Sequence, residues 1–162
     1  MSALITAASY SQAYKLERLL NLSSVIFADY QELPQLAYPG KKLMKIPEGN
    51  SVSYAHEMLD LALNAGISKI FPLYSSEILP LAEARQLFSE YGISVIVPSI
   101  LWVKSQNNDI PSLPARELVV LEKGRLLAGD LSSNIIMPES DFTGIFKIQK
   151  DLKEPVFQLF TV

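Results

Sequence analysis

The chain has 162 residues, 49% of them hydrophobic and 19% charged, a size and balance that fit one compact domain with an ample core. Fourteen basic and 17 acidic side chains leave a net charge of −3, which offers no electrostatic footprint for a nucleic-acid backbone or an anionic membrane. The absence of cysteine excludes disulfides, thiolate nucleophiles and cysteine metal sites. The opening run Met1-Ser2-Ala3-Leu4-Ile5-Thr6 lacks the basic start of a signal peptide and is too short to span a bilayer, so the expectation is a cytoplasmic protein with neither a membrane nor a nucleic-acid partner.

In chain order, residues 3–8 form a short apolar run that ends at Ser9-Tyr10-Ser11. Ala13, Leu16, Leu19 and Leu20 then recur at helical spacing, which predicts a strand, a turn and a helix with Ser11 as its N-cap. Residues 25–28 read as a second strand, closed by Asp29 and Tyr30. Residues 31–49 carry three of the ten prolines and read as a surface loop with at most a short strand at Leu43-Met44-Lys45-Ile46. Asn50 or Ser51 caps the next helix, whose buried stripe is Ala55, Met58, Leu59, Ala62 and Leu63, and Gly66 stands where a left-handed residue ends it. Residues 67–73 are the third principal strand, followed by Tyr74-Ser75-Ser76-Glu77. Leu81, Ala84, Leu87, Phe88 and Tyr91 mark a further helix, closed by Gly92 and followed by a strand over residues 93–97. Alternating strands and helices predict a mostly parallel sheet with helices on both faces.

Beyond Leu101-Trp102-Val103 the pattern changes. Residues 105–114 are polar and read as a connector, and residues 117–121 and 125–128 flank Glu122-Lys123-Gly124, the signature of a hairpin. Residues 134–137, 143–148 and 156–162 supply three more β-like runs. The organisation expected is a single domain over residues 1–162: a Rossmann-like α/β core at 1–103 and a β-meander appendix at 104–162. Too small to bury its own apolar face, the appendix must pack on the core or on a partner subunit, and Trp102 is expected beneath it.

Open α/β sheets bind ligands beyond the carboxyl ends of their strands, where the strand order reverses. That rule nominates Ser9, Tyr10, Ser11, Asp29, Tyr74, Ser75, Ser76 and Glu77 as the lining of a candidate crevice for a small anionic ligand. Each has a plainer reading: Asp29 as a strand-end carboxylate, and Ser75, Ser76 and Glu77 as caps of the helix they begin. His56 is the only histidine, and in His56-Glu57-Met58-Leu59-Asp60 the second ligand of an H-E-x-x-H zinc motif is missing, so no metal site is expected. Ser9 lacks the glycine elbow of a hydrolase nucleophile, so no catalytic residue is assigned.

Residues 24–99, with Ala28-Asp29-Tyr30, Ile46-Pro47, the run Ile67-Ser68-Lys69-Ile70-Phe71-Pro72-Leu73-Tyr74-Ser75-Ser76-Glu77-Ile78-Leu79-Pro80-Leu81-Ala82-Glu83-Ala84-Arg85, and Gly92-Ile93-Ser94-Val95-Ile96-Val97-Pro98-Ser99, resemble the amino-terminal domain of ATP-grasp carboxylate–amine ligases of the carbamoyl-phosphate synthase type. The resemblance implies a Rossmann-like pre-ATP-grasp fold that, in such ligases, packs against the ATP-grasp module and helps shape the substrate crevice. Two departures bear on activity. The first turn, Thr6-Ala7-Ala8-Ser9-Tyr10-Ser11-Gln12, has no glycine where related domains have a glycine-rich loop, and the residues after Ser99 contain no ATP-grasp module.

Three functional classes follow. The first is a stand-alone, non-catalytic binding or assembly module that forms a homodimer or a complex and uses no cofactor. The second is a subunit of a split ligase, with the ATP-grasp chemistry on a separate protein. The third is a small enzyme using the crevice near Ser9 and Glu77, which requires Glu77 to be buried and unpaired so that it titrates near neutral pH.

Overall fold

In a computed structural model, which describes residues 2–106, 117–132, 134–149 and 155–162, two sheets pack together. The first contains β1 (Ser2–Ile5), β2 (Val25–Asp29), β3 (Lys42–Lys45), β4 (Ile67–Phe71) and β5 (Ser94–Val95) in the order β3-β2-β1-β4-β5, every pair parallel. Four helices accompany it: α1 (Ser11–Leu20), α2 (Tyr54–Asn64), α3 (Ser75–Glu90) and α4 (Ile100–Ser105). The chain crosses from β2 to β3 with only a single 3-10 turn at Gln35–Ala37, in keeping with the proline-rich composition of that loop. Lys42 and Lys45 stand exposed on the β3 edge, where charge discourages pairing with another chain.

Strand alternation sorts the side chains to two faces. Leu4, Ala28, Ile70 and Val95 face α2 and α3, meeting Tyr54, Met58, Leu81 and Phe88. Ala3, Ile5, Phe27 and Phe71 face the other way, onto Ala13 and Leu16 of α1. Helices therefore cover both faces, as the alternating pattern implies. The predicted stripes shift slightly: Tyr54 and Ile78 are buried, whereas Leu63 and Tyr91 are exposed.

The second sheet is antiparallel, with β6 (Glu117–Glu122), β7 (Arg125–Ala128), β8 (Gly144–Gln149) and β9 (Val156–Leu159) in the order β7-β6-β8-β9. The β6–β7 hairpin forms where the sequence places it. Lys123 and Gly124 both hold positive φ, 50° and 73°, the geometry of a two-residue type I′ turn. The appendix is not a simple meander, because β8 returns to the far side of β6. Residues 134–137 contribute no strand; Ile135 and Met137 instead pack against the aromatic core of this sheet. Most of the polar connector, residues 107–116, lies outside the described residues, as do residues 150–154.

The appendix packs on the core. Val120, Ile145 and Phe160 join the same buried cluster as Ile5, Phe27 and Phe71, so this sheet shares a face of the parallel sheet with α1. Its opposite face closes around Trp102, Phe142, Phe146 and Phe157, and Trp102 meets Phe142 and Phe146 edge-on at 5.4 and 5.5 Å between ring centroids. Trp102 thus sits beneath the appendix, as expected, but on a short helix that the sequence pattern does not announce. Ser99 caps that helix, accepting from the Trp102 N–H at 3.2 Å and donating to Glu139 at 2.6 Å. A polar joint also links the sheets. Lys69 of β4 lies 2.6 Å from Glu122, which also accepts from the Ser94 hydroxyl, and these bonds outweigh partial burial to hold the Glu122 carboxyl below the usual range.

Because one cluster spans both sheets, the appendix and the parallel sheet are expected to unfold together. Fluorescence of the single tryptophan, Trp102, and far-UV circular dichroism should give coincident denaturant midpoints. Phe160→Ala should shift both by about 3 kcal/mol of stability.

Candidate functional site

The strand order reverses between β1 and β4, and the turns leaving these strands meet the end of β2 at one place. The β1 turn is tight. Ala7 is fully buried with φ 58°, a left-handed conformation that costs a non-glycine residue about 1–2 kcal/mol. The backbone thus makes the turn without the missing glycine, but the Ala7 methyl fills space beneath it. Tyr14 fixes the turn from α1, its hydroxyl donating to the Ala8 carbonyl at 2.7 Å.

Asp29, at the end of β2 and 1% exposed, gathers the turns together. One carboxylate oxygen accepts from the Ser9 N–H at 2.9 Å and the Ser9 hydroxyl at 2.8 Å. The other accepts from the Tyr74 hydroxyl at 2.9 Å and the Gln31 N–H at 3.0 Å. Four donors take up the usual capacity of a carboxylate, leaving nothing for a ribose or any other ligand hydroxyl. Burial, together with the adjacent Asp29 carboxylate, holds the Tyr74 phenol above its ordinary range and keeps it a donor. Tyr10 and Tyr30 pack against the Tyr74 ring at 5.9 and 5.1 Å between centroids.

Glu77 lies in the first turn of α3, also 1% exposed, with a different set of neighbours. Its Oε2 accepts from the Thr6 hydroxyl at 2.6 Å and from the Tyr74 N–H at 3.3 Å, the latter being one half of a capping box. Thr6 in turn accepts from the Leu73 N–H at 2.8 Å. Oε1 has no partner, nor does the fully buried Tyr54 hydroxyl, which is near enough to influence Glu77 but outside hydrogen-bond geometry. Burial pushes the Glu77 carboxyl up to about 7, against the lowering effect of Thr6, the Tyr74 backbone and the nearby Tyr54 hydroxyl, and the Asp29 charge adds to the rise.

The structure brings together Ser9, Tyr10, Asp29 and Tyr74, and it places Glu77 in a neighbouring cluster with Thr6 and Tyr54. Ser11 points away as the first residue of α1, with Tyr10 as the N-cap in its stead. The Ser75 N–H donates to the Val162 carbonyl at 3.4 Å, and the Val162 N–H donates to Leu73 at 2.8 Å. Gly49 lies so close over Ser76 that a Cβ there would come within 2.6 Å of its hydroxyl. The N-terminus of α3 is therefore covered by the protein's own chain. Thr6 and Tyr54 were not read from the sequence as site residues; the one signal was a hydroxyl ending an apolar strand and a tyrosine opening a helix. His56 is exposed on α2, and no three acidic or histidine side chains among the described residues are grouped to hold a metal.

Two outcomes follow. Asp29→Asn places an amide donor against donors already committed to the carboxylate, and it should cost about 2–4 kcal/mol by urea denaturation. For Glu77 the folded value near 7 lies above the ordinary 4.5, so ionisation destabilises the native state. Its favourable contribution is complete below the unfolded value, declines as pH rises and is lost above about 7, a fall on the order of 3 kcal/mol. Glu77→Gln, which cannot ionise, should flatten that dependence and be more stable than the parent chain at alkaline pH, measured by denaturation across the pH range.

No protein-family model matches this chain, and no curated protein matches its sequence.

Proposed function

We propose that this protein is a non-catalytic binding or assembly module resembling a stand-alone pre-ATP-grasp domain, and that it works through its surface rather than through its switch-point crevice. The observation carrying this reading is the saturation of Asp29: Ser9, Gln31 and Tyr74 supply all four of its hydrogen bonds. Ser9 donates to a carboxylate with no histidine beside it, which leaves its hydroxyl without a competent base. Val162 and Gly49 occupy the N-terminus of α3, where an anion would otherwise be received.

The appendix supports a surface role. Leu126 and Leu127 are adjacent on β7 and both exposed, and Ile136 is 88% exposed in the loop that follows. Side chains of this kind are the material of a subunit interface, whether with a second copy or with a separate ATP-grasp protein.

Light scattering across a concentration series and thermal-shift measurements against ATP with magnesium, AMP and dinucleotides test the reading together. A concentration-dependent dimer that Leu126→Lys with Leu127→Lys converts to monomer, with no nucleotide shift, is expected. A monomer at every concentration that is stabilised by a nucleotide would overturn it.

A further inference from the structure

Residues 46–53 join β3 to α2 and pass over the first turn of α3. Ile46 anchors one end in the core, 3% exposed, and Tyr54 anchors the other, fully buried. Between them Glu48, Asn50 and Val52 are exposed, and only Gly49 is buried. A Cβ on Gly49 would fall 2.8 Å from the Ser76 carbonyl carbon and 2.9 Å from the Glu77 nitrogen, so the strap lies directly on the helix backbone.

Beyond the bond from the Ile46 N–H to the Asp29 carbonyl at 2.9 Å, packing holds it there. Among the described residues, the hydrogen bonds of residues 47–53 stay within the segment or reach the first turn of α2: Ser51 N–H to Glu48, Tyr54 N–H to Ser51, Ser51 with Ser53, and Glu57 N–H to Ser53. Pro80 of α3 has no N–H to give to the Ser76 carbonyl one turn earlier. Two buried side-chain atoms lie unpaired near one another: Glu77 Oε1 and the Tyr54 hydroxyl.

We infer that residues 46–53 form a proton-controlled strap, closed over α3 while Glu77 is protonated and lifted when Glu77 ionises. The groups acting on Glu77 are Thr6 of the β1 turn, Asp29 of β2, Tyr54 of α2 and the Tyr74 backbone at the α3 cap; none is a cation. An ionised Glu77 therefore has no counter-charge, and the nearby Tyr54 hydroxyl and water are the donors left for Oε1. Two segments cover the first turn of α3. The Val162 side is bonded to Leu73 and Ser75 and is held by Phe160, which donates its N–H to Ile145 at 2.9 Å. The strap has one such bond, at Ile46, and none over residues 47–53 beyond the first turn of α2, so its lifting is the less costly way to hydrate Glu77 Oε1 and the Tyr54 hydroxyl.

Hydrogen exchange of the full chain, read by mass spectrometry from about pH 5.5 to 8.5 and corrected for intrinsic rates, tests this. Peptides covering residues 47–53 should lose about tenfold or more of their protection across that range, while β4 keeps its own. In Glu77→Gln the strap should stay protected throughout. Gly49→Ala, which has no room for its methyl, should expose the strap even at the acidic end. Strap protection that is independent of pH in the parent chain, that falls equally in Glu77→Gln, or that falls only in step with β4 would overturn the inference. So would full protection in Gly49→Ala.

Discussion

The carboxylate of Asp29 is the constraint on which the carboxyl edge of the parallel sheet depends. It is buried at the end of β2, and its donors come from the turn after β1, from the residue beyond Tyr30 and from the cap of α3. Three chain segments far apart in sequence are thereby fixed at one point. Without those donors a buried charge would be costly, and without the charge the donors would be orphaned; each accounts for the other. The same bonds that make the edge rigid remove it as a ready-made ligand site.

Glu77 shows how strongly local surroundings set the behaviour of a side chain. It lies beside the Asp29 cluster and is equally buried, yet it receives only two hydrogen bonds, both on one oxygen. Burial therefore dominates its titration and moves it toward neutrality. A buried acid of that kind is often a mark of catalysis. Here Ser9 is committed to Asp29, and the strap and the C-terminal residues close the space around α3. The free oxygen of Glu77 is better understood as a store of unfavourable energy that a local movement can release.

Much of the architecture could be read from the sequence. Gly66 and Gly92 both adopt the left-handed conformation expected after a helix, and the bonds from Gly92 and Ile93 back to Ser89 and Phe88 complete a Schellman motif. Strand–helix alternation yields the parallel sheet, and Lys123-Gly124 yields the hairpin. The return of β8 to β6 was beyond reach, since strand order depends on which apolar faces meet and periodicity describes only one strand at a time. The helix carrying Trp102 was hidden because six residues are too few to show a helical repeat.

The candidate crevice was legible in outline. Five of its eight nominated residues, Ser9, Tyr10, Asp29, Tyr74 and Glu77, meet within or beside it, because the rule that nominated them concerns strand ends and not chemistry. What could not be read was who bonds to whom. Thr6, Tyr54 and Gly49 act through contacts across many residues of sequence, and no local pattern records those distances. The central claim, that Asp29 holds the site closed, is tested most directly by a double-mutant cycle between Asp29→Ala and Tyr74→Phe in denaturant unfolding. A coupling energy above about 1 kcal/mol is expected for two groups sharing one buried hydrogen-bond network. Effects that add to within about 0.5 kcal/mol would contradict it, since Asp29 would then not be the point at which the turns are joined.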